Sequence, residues 1–243
     1  MIGPILLTVS WLLLRLEGRR LDALGFDEPR QRTTEFALGF AAFGLAAAAQ
    51  QMGLSLAAGD QFVLNAGVDT PTMLNGLRFT VNSVLFEELL FRGYFLYRAV
   101  QWLGPSRAVW LDAAAFGVYH WFSYGVIGNP IVMLYVFLLT GMFGYLWARA
   151  FVATGSIAAP IGLHLGWNAV AYLVFSAGPL GAALLIPASG AQRIEANGPL
   201  SSVALSIGLP LAATALGLWY LRRVERLRAG LKTDAEQPVR TPA

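Results

Sequence analysis

The sequence predicts an all-α protein, a multi-pass transmembrane helical bundle of about seven spans, and three observations carry that expectation. Hydrophobic residues fill 56% of the 243 positions and charged residues only 13%, against ~25% charge in an ordinary soluble domain. The apolar residues gather into blocks near the ~20 residues that a helix needs to cross a bilayer. Between blocks stand turn signals, among them Gly104-Pro105 and Gly128-Asn129-Pro130.

In chain order the expected spans are 2–16, 36–58, 72–98, 107–123, 130–150, 156–176 and 200–221. The first is short. Its apolar run lacks a basic leader and is followed by Arg15 rather than a small-residue cleavage site, so it reads as a bundle helix and not as a cleaved signal. The third is the most polar, with Asn75, Arg78, Asn82, Glu87, Glu88 and Arg92, and a span of that kind needs protein neighbours on most sides. No repeat or change of composition divides residues 1–223, which read as one membrane-embedded helical domain with a motif-bearing core at about 72–176. Residues 224–243, charged and Pro-containing, read as a polar C-terminal tail.

Orientation follows from the arginines. Arg15, Arg19, Arg20, Arg30 and Arg32 lie between the first two spans, Arg98, Arg107 and Arg149 flank later loops of the same side, and Arg222, Arg223 and Arg226 follow the last span. The loops of the other side hold little beyond Arg193. The positive-inside rule puts the N-terminus outside and the C-terminus in the cytoplasm. Composition and compact length read as a multi-pass protein of a bacterial plasma membrane, with the lipid bilayer as its first partner. The net charge of +3 and pI near 9.4 do not indicate nucleic acid, because the basic residues sit in loops beside apolar segments and form no single polar face. The sequence contains no cysteine, which excludes disulfides, thiolate metal sites and a cysteine nucleophile.

The two histidines, His120 and His164, both fall inside expected spans, and the third span carries the adjacent pair Glu87-Glu88. Ionisable side chains are costly at bilayer depth, so such a set reads first as a functional site. At 1.5 Å per residue, Glu87 lies about 16 Å from the Arg98 end of its span, His120 about 20 Å from Arg107 and His164 about 12 Å from Ser156. One intramembrane level is thus open to all three.

Neighbouring residues on a helix point ~100° apart, so Glu87 and Glu88 address different surroundings. Glu88 and Arg92 stand at i and i+4, the spacing of a helical ion pair, which assigns them a supporting role and frees Glu87 to act as general base toward a water. His120 can share that water or shuttle its proton. His164 and Asn168, again i and i+4, can donate to a developing oxyanion. Base, water and oxyanion donors describe hydrolysis of an acyl bond. Asp112 is a possible orienting partner of His120 or an interhelical contact and stays outside the catalytic set. The aromatic run Tyr119, Trp121, Phe122 and Tyr124 reads as a membrane-interface belt rather than a ligand box.

The segments Glu87-Glu88-Leu89-Leu90-Phe91-Arg92, Phe116-Gly117-Val118-Tyr119-His120 and His164-Leu165-Gly166-Trp167-Asn168 resemble the EExxxR, FxxxH and HxxxN motifs of the CAAX protease and bacteriocin-processing (CPBP, or Abi) family. The Ras-converting CAAX endopeptidase is its eukaryotic relative. The resemblance covers about 80–175. It implies an intramembrane endopeptidase acting on a membrane-associated peptide or protein, with Glu87 and His120 activating the water, His164 and Asn168 binding the oxyanion, and Glu88 and Arg92 in support. It also implies a cavity open toward the cytoplasm, in agreement with the arginine-derived orientation. No cofactor is expected. The alternative is zinc held by Glu87, His120 and His164, since open zinc sites use three ligands, although no HExxH pair is present. Two other functions stay open: a catalytically silent membrane scaffold or bacteriocin-immunity protein, and a proton-coupled transporter using the same ionisable residues, against which the lack of inverted repeats counts.

Overall fold

The structure is a computed structural model that describes the backbone of residues 3–235 and side chains as far as residue 226. It is almost entirely helical. Helices α1 (Gly3–Leu16), α2 (Pro29–Ala58), α3 (Thr70–Phe91), α4 (Tyr94–Leu103), α5 (Pro105–Ser123), α6 (Pro130–Thr154) and α7 (Ala158–Ala169) are followed by a short α8 (Pro199–Val203) and a long α9 (Leu209–Ala235). Two π-helical turns, Val170–Val174 and Ala204–Gly208, continue α7 and join α8 to α9.

Local sequence sets the helix starts. Pro29, Pro105 and Pro130 each open a helix, where a missing N–H costs nothing. Asp69 caps α3 by accepting a 2.8 Å hydrogen bond from the Thr72 N–H. Hydrogen bonding from the Thr72 side chain, and then from its N–H, holds the Asp69 carboxyl below the ordinary carboxylate range. Asn129 caps α6 through the Val132 N–H at 3.3 Å.

The two ends of the bundle differ in chemistry. At one end the α1–α2 connection meets the start of α7, with Ile157 N–H donating to the Leu24 carbonyl at 3.0 Å. Ion pairs Arg98–Glu17 (3.1 Å) and Arg149–Glu225 (2.6 Å) lie at this end. At the opposite end the α2–α3 and α7–α8 connections pair as a two-stranded antiparallel ribbon, β1 (Phe62–Leu64) on β2 (Leu185–Pro187), with Val63 opposite Ile186. Asn197 Nδ2 ties the second connection to the Ala58 carbonyl at 2.8 Å.

Leu21–Ala58, Pro130–Thr154 and Pro199–Arg226 are long and apolar enough to cross a membrane. Large apolar residues such as Leu45, Trp110, Ile131 and Leu216 are exposed around the outside, more apolar surface than a water-soluble monomer leaves uncovered. Inside, Phe43, Phe116, Phe143, Leu146, Trp147 and Leu163 form one buried cluster. A second, nearer the arginine-rich end, contains Leu14, Leu24, Leu89, Leu96, Val109 and Phe151.

One expectation changes. The span at 72–98 is broken: α3 ends at Phe91 and α4 begins at Tyr94. A straight helix is not maintained because Arg92 is drawn into the core, and at Gly93 a Cβ would fall 2.2 Å from the Leu89 carbonyl oxygen. Glu87 is therefore about 6 Å from the end of its helix, not about 16 Å. The expected polar tail falls in part on α9, which runs to Ala235. The rest of the expected tail, 236–243, lies outside the described residues.

Candidate active site

Glu87 and Glu88 are divided by the helix geometry of α3. Glu88 is fully buried, while Glu87 lines a cavity of about 730 Å³. The same cavity is lined by His120 near the end of α5, His164 and Asn168 on α7, and Phe116, Tyr119 and Tyr124. From Glu87 Oε2 the Nε2 atoms of His120 and His164 stand at 3.9 and 3.8 Å. Residues 33 and 44 positions apart in sequence thus direct three polar atoms at one small volume. Asn168 sits one turn beyond His164, half-buried on the cavity wall.

Each histidine is fixed by what its other nitrogen touches. His120 Nδ1 lies 2.8 Å from the Phe116 carbonyl oxygen, one turn back on α5. A carbonyl only accepts, so Nδ1 carries the proton and Nε2 of the neutral ring presents a lone pair to the cavity. His164 Nδ1 lies 2.8 Å from Glu88 Oε1. Its ring also stacks on Trp147, with centroids 4.3 Å apart and planes 13° from parallel.

Behind the histidines lies a buried charge network. Arg92 Nη1 reaches Glu88 Oε1 at 3.2 Å, and Nη2 donates to the Gly144 carbonyl at 3.0 Å. Its Nε stands 2.9 Å from Asp112 Oδ2, close enough for an ion pair but not aligned as a hydrogen bond. The guanidinium also covers the Phe116 ring at 4.2 Å. A buried charge is tolerated where opposite charges and hydrogen bonds surround it, and here α3, α5 and α6 together supply them.

The placement of α7 depends on close backbone approach. A Cβ at Gly162 would meet the Phe36 carbonyl oxygen at 2.3 Å, and one at Gly166 would meet that of Phe40 at 2.2 Å. These two glycines bracket His164 and press α7 against α2, as small residues four apart do in membrane bundles.

The structure thus brings together Glu87, His120 and His164, with Asn168 on the same wall and Glu88–Arg92 paired directly behind them. Sequence reasoning left out Asp112, whose signal was its own intramembrane charge, and the Gly162/Gly166 pair, whose signal was the four-residue spacing. The aromatic run divides, contrary to its reading as a belt. Tyr119 and Tyr124 line the cavity with ring centroids 5.2 and 5.1 Å from that of His120. Trp121 donates to the Met133 carbonyl at 2.8 Å, and Phe122 faces outward. The helical turn makes this unavoidable, since residues spread over positions 119–124 span more than one turn and cannot share a face.

The lining of the cavity extends to the ribbon end of the bundle. Gln50, Gln51 and Leu54 near the end of α2, Ser123 at the end of α5, and Arg193–Ala196 line the cavity. All belong to the ribbon end, opposite the arginine-rich loops.

Zinc is a poor match to this donor set. Ligands on one tetrahedral zinc at ~2.0–2.1 Å stand roughly 3.3 Å from one another, and the Glu87–histidine separations of 3.8 and 3.9 Å exceed that. Among the described residues no group of three His, Cys, Asp or Glu side chains has the spacing of an ion site.

Residues 69–170 match the family described as type II CAAX prenyl endopeptidase, Rce1-like. The matched segment runs from the Asp69 cap to the end of α7 and contains Glu87, Glu88, Arg92, Asp112, His120, His164 and Asn168. No curated protein and no solved structure matches the chain.

Proposed function

We propose that this chain is an intramembrane endopeptidase cutting a membrane-associated peptide or protein with a water activated by Glu87, a reading supported by the match of residues 69–170 to the Rce1-like type II CAAX prenyl endopeptidases. The observation that carries the reading is the convergence of Glu87 Oε2 with two histidine Nε2 atoms at 3.8 and 3.9 Å on the wall of one cavity. We assign no metal to the reaction.

In this mechanism a water held between Glu87 and His120 gives a proton to the Glu87 carboxylate as its oxygen attacks the carbonyl carbon of the scissile bond. His120 Nε2, an acceptor because Nδ1 donates to the Phe116 carbonyl, keeps the second hydrogen of the water aligned. The carbonyl oxygen becomes an oxyanion, which receives hydrogen bonds from the Asn168 amide and from Nε2 of His164 in its imidazolium form, with Glu88 as counter-ion. Collapse breaks the C–N bond, and the proton held by Glu87 passes to the leaving amine. Arg92 and Asp112 act through Glu88 as positioning residues.

The protein sits in a bacterial plasma membrane in this reading, with about seven spans, the N-terminus outside and the C-terminus cytoplasmic, as the arginines indicate. Cells expressing wild type or Glu87→Gln provide the test, by comparison of peptide termini in their membranes. Termini found with wild type alone support proteolysis and identify the substrate. Matching profiles from two folded, equally abundant proteins would reject it in favour of a scaffold.

A further inference from the structure

We propose that the cleft between the end of α1 and the start of the α1–α2 connection binds the headgroup of an anionic phospholipid, with the phosphate held by Arg15 and Arg20. This site is independent of the endopeptidase reading and requires only that this end of the bundle meets a membrane surface.

Along α1 the sequence passes abruptly from apolar to basic. Ile5, Val9, Leu12 and Leu16 recur at helical spacing and are exposed, a stripe suited to contact with lipid chains. Gly18, with φ at 69°, then turns the chain, and Arg19 and Arg20 follow. Such a step marks the level at which headgroups lie. Trp11, 41% exposed, stands one turn before Arg15, whose guanidinium carbon lies 5.9 Å from the centre of the Trp11 ring. Tryptophan is enriched at this depth, and a cation–π contact steadies the arginine without using its N–H donors.

The cleft has a volume of about 380 Å³ and is lined by Trp11, Arg15, Arg20, Leu21, Asp22 and Phe26. Among the described residues Arg15 and Arg20 form no ion pair. Glu17, between them in sequence, is taken by the Tyr94 hydroxyl and by Arg98 Nε at 3.1 Å. Arg32, further along the chain, is paired with Asp27 and Glu35, so the cleft holds two cations whose neighbours are already neutralised.

The lining selects among ligands. Two guanidinium groups against Asp22 leave it one net positive charge. A phosphodiester headgroup with one negative charge cancels that charge, whereas a zwitterionic headgroup leaves it standing. Guanidinium forks match phosphate oxygens. Leu21 and the half-exposed Phe26 add apolar wall beside the cations. That wall suits the glycerol and first methylenes of a lipid, and a free phosphate has nothing to place there.

The test counts lipid bound to the purified full-length chain in a neutral detergent by native mass spectrometry. The probes are phosphatidylglycerol, phosphatidylcholine and inorganic phosphate. Wild type should bind one phosphatidylglycerol saturably and in preference to both other probes. Arg15→Gln/Arg20→Gln should weaken that binding roughly 30-fold, the loss of two arginine attractions to an anionic lipid. Arg222→Gln/Arg223→Gln removes the same charge outside the cleft and should change it less than about threefold. Asp22→Asn, which takes away the one opposing charge, should tighten it. Equal weakening by the two arginine pairs would overturn the site in favour of diffuse surface charge. Phosphatidylcholine bound as tightly would remove the recognition of charge, and inorganic phosphate bound as tightly would make this a free-anion site. Weaker binding in Asp22→Asn would contradict the charge balance, and so decides the matter even where the arginine variants fold poorly.

Discussion

Glu88 Oε1 and His164 Nδ1 stand 2.8 Å apart across the interface of α3 and α7, joining the residue beside the proposed base to the proposed oxyanion donor. The same carboxylate oxygen takes Arg92 Nη1 at 3.2 Å, so one buried glutamate links the charge network to the catalytic wall. Adjacent residues thereby divide the work, Glu87 facing the cavity and Glu88 the core.

Removing the Glu88 charge should reach the reaction through His164. Glu88→Gln is expected to lower kcat with little change in KM, since the substrate wall is untouched. Asp112→Asn, which leaves the Glu88–His164 bond in place, should cost less. Steady-state kinetics of the two variants in detergent or vesicles provide the check, and an equal or larger loss in Asp112→Asn would contradict this ordering.

The histidine tautomers can be read individually, because the chain has only two histidines. Neutral His120 should carry its proton on Nδ1, held by the Phe116 carbonyl. Nitrogen-15 spectra of histidine-labelled protein, assigned with a His164 variant, would show this. A proton on Nε2 would remove His120 as an acceptor for the water.

Arg92 compensates two buried carboxylates, and its loss should be felt as uncompensated charge. Arg92→Met is expected to destabilise by ~3–5 kcal/mol, the cost of breaking a buried ion pair by removing one partner. Adding Asp112→Asn should recover part of that loss, because one of the stranded charges is then neutral. Unfolding in detergent measures both, and simple addition of the two losses would argue against the network.

Much of the site was legible from sequence because helical spacing is strict. The i, i+4 relation of Glu88 and Arg92 and the ~100° offset of Glu87 follow from 3.6 residues per turn, and both appear in the structure. The break at Arg92–Gly93 was hidden, since the apolar pattern continues through Leu103 and only tertiary contacts to Asp112 and the Gly144 carbonyl show why the helix stops. The extent of the cavity lining toward the ribbon end was hidden as well. It depends on which half of each helix is lined by small polar residues, and not on the motifs themselves.

The glycines around His164 give a steric prediction. In Gly162→Ala the new methyl would lie 2.3 Å from a backbone oxygen of α2, whereas in Gly141→Ala the nearest atom, the Ala113 carbonyl oxygen, would be at 3.3 Å. Helix backbones do not yield by an ångström as side chains do, so Gly162→Ala should lower thermal stability and activity far more than Gly141→Ala. Equal melting temperatures would show that α7 is not held by this approach.

The most direct test of the central claim is the rate of peptide cleavage by purified wild type and Glu87→Gln, reconstituted in the same vesicles with the substrate identified from membrane termini. Glu87→Gln retains shape and loses the base, and loss of a general base lowers rates by ~10²–10⁴-fold. A fall of that size in kcat, with melting behaviour unchanged, is the expected result. A variant that cleaves within a few-fold of wild type would contradict the assignment of Glu87 as the group that activates water.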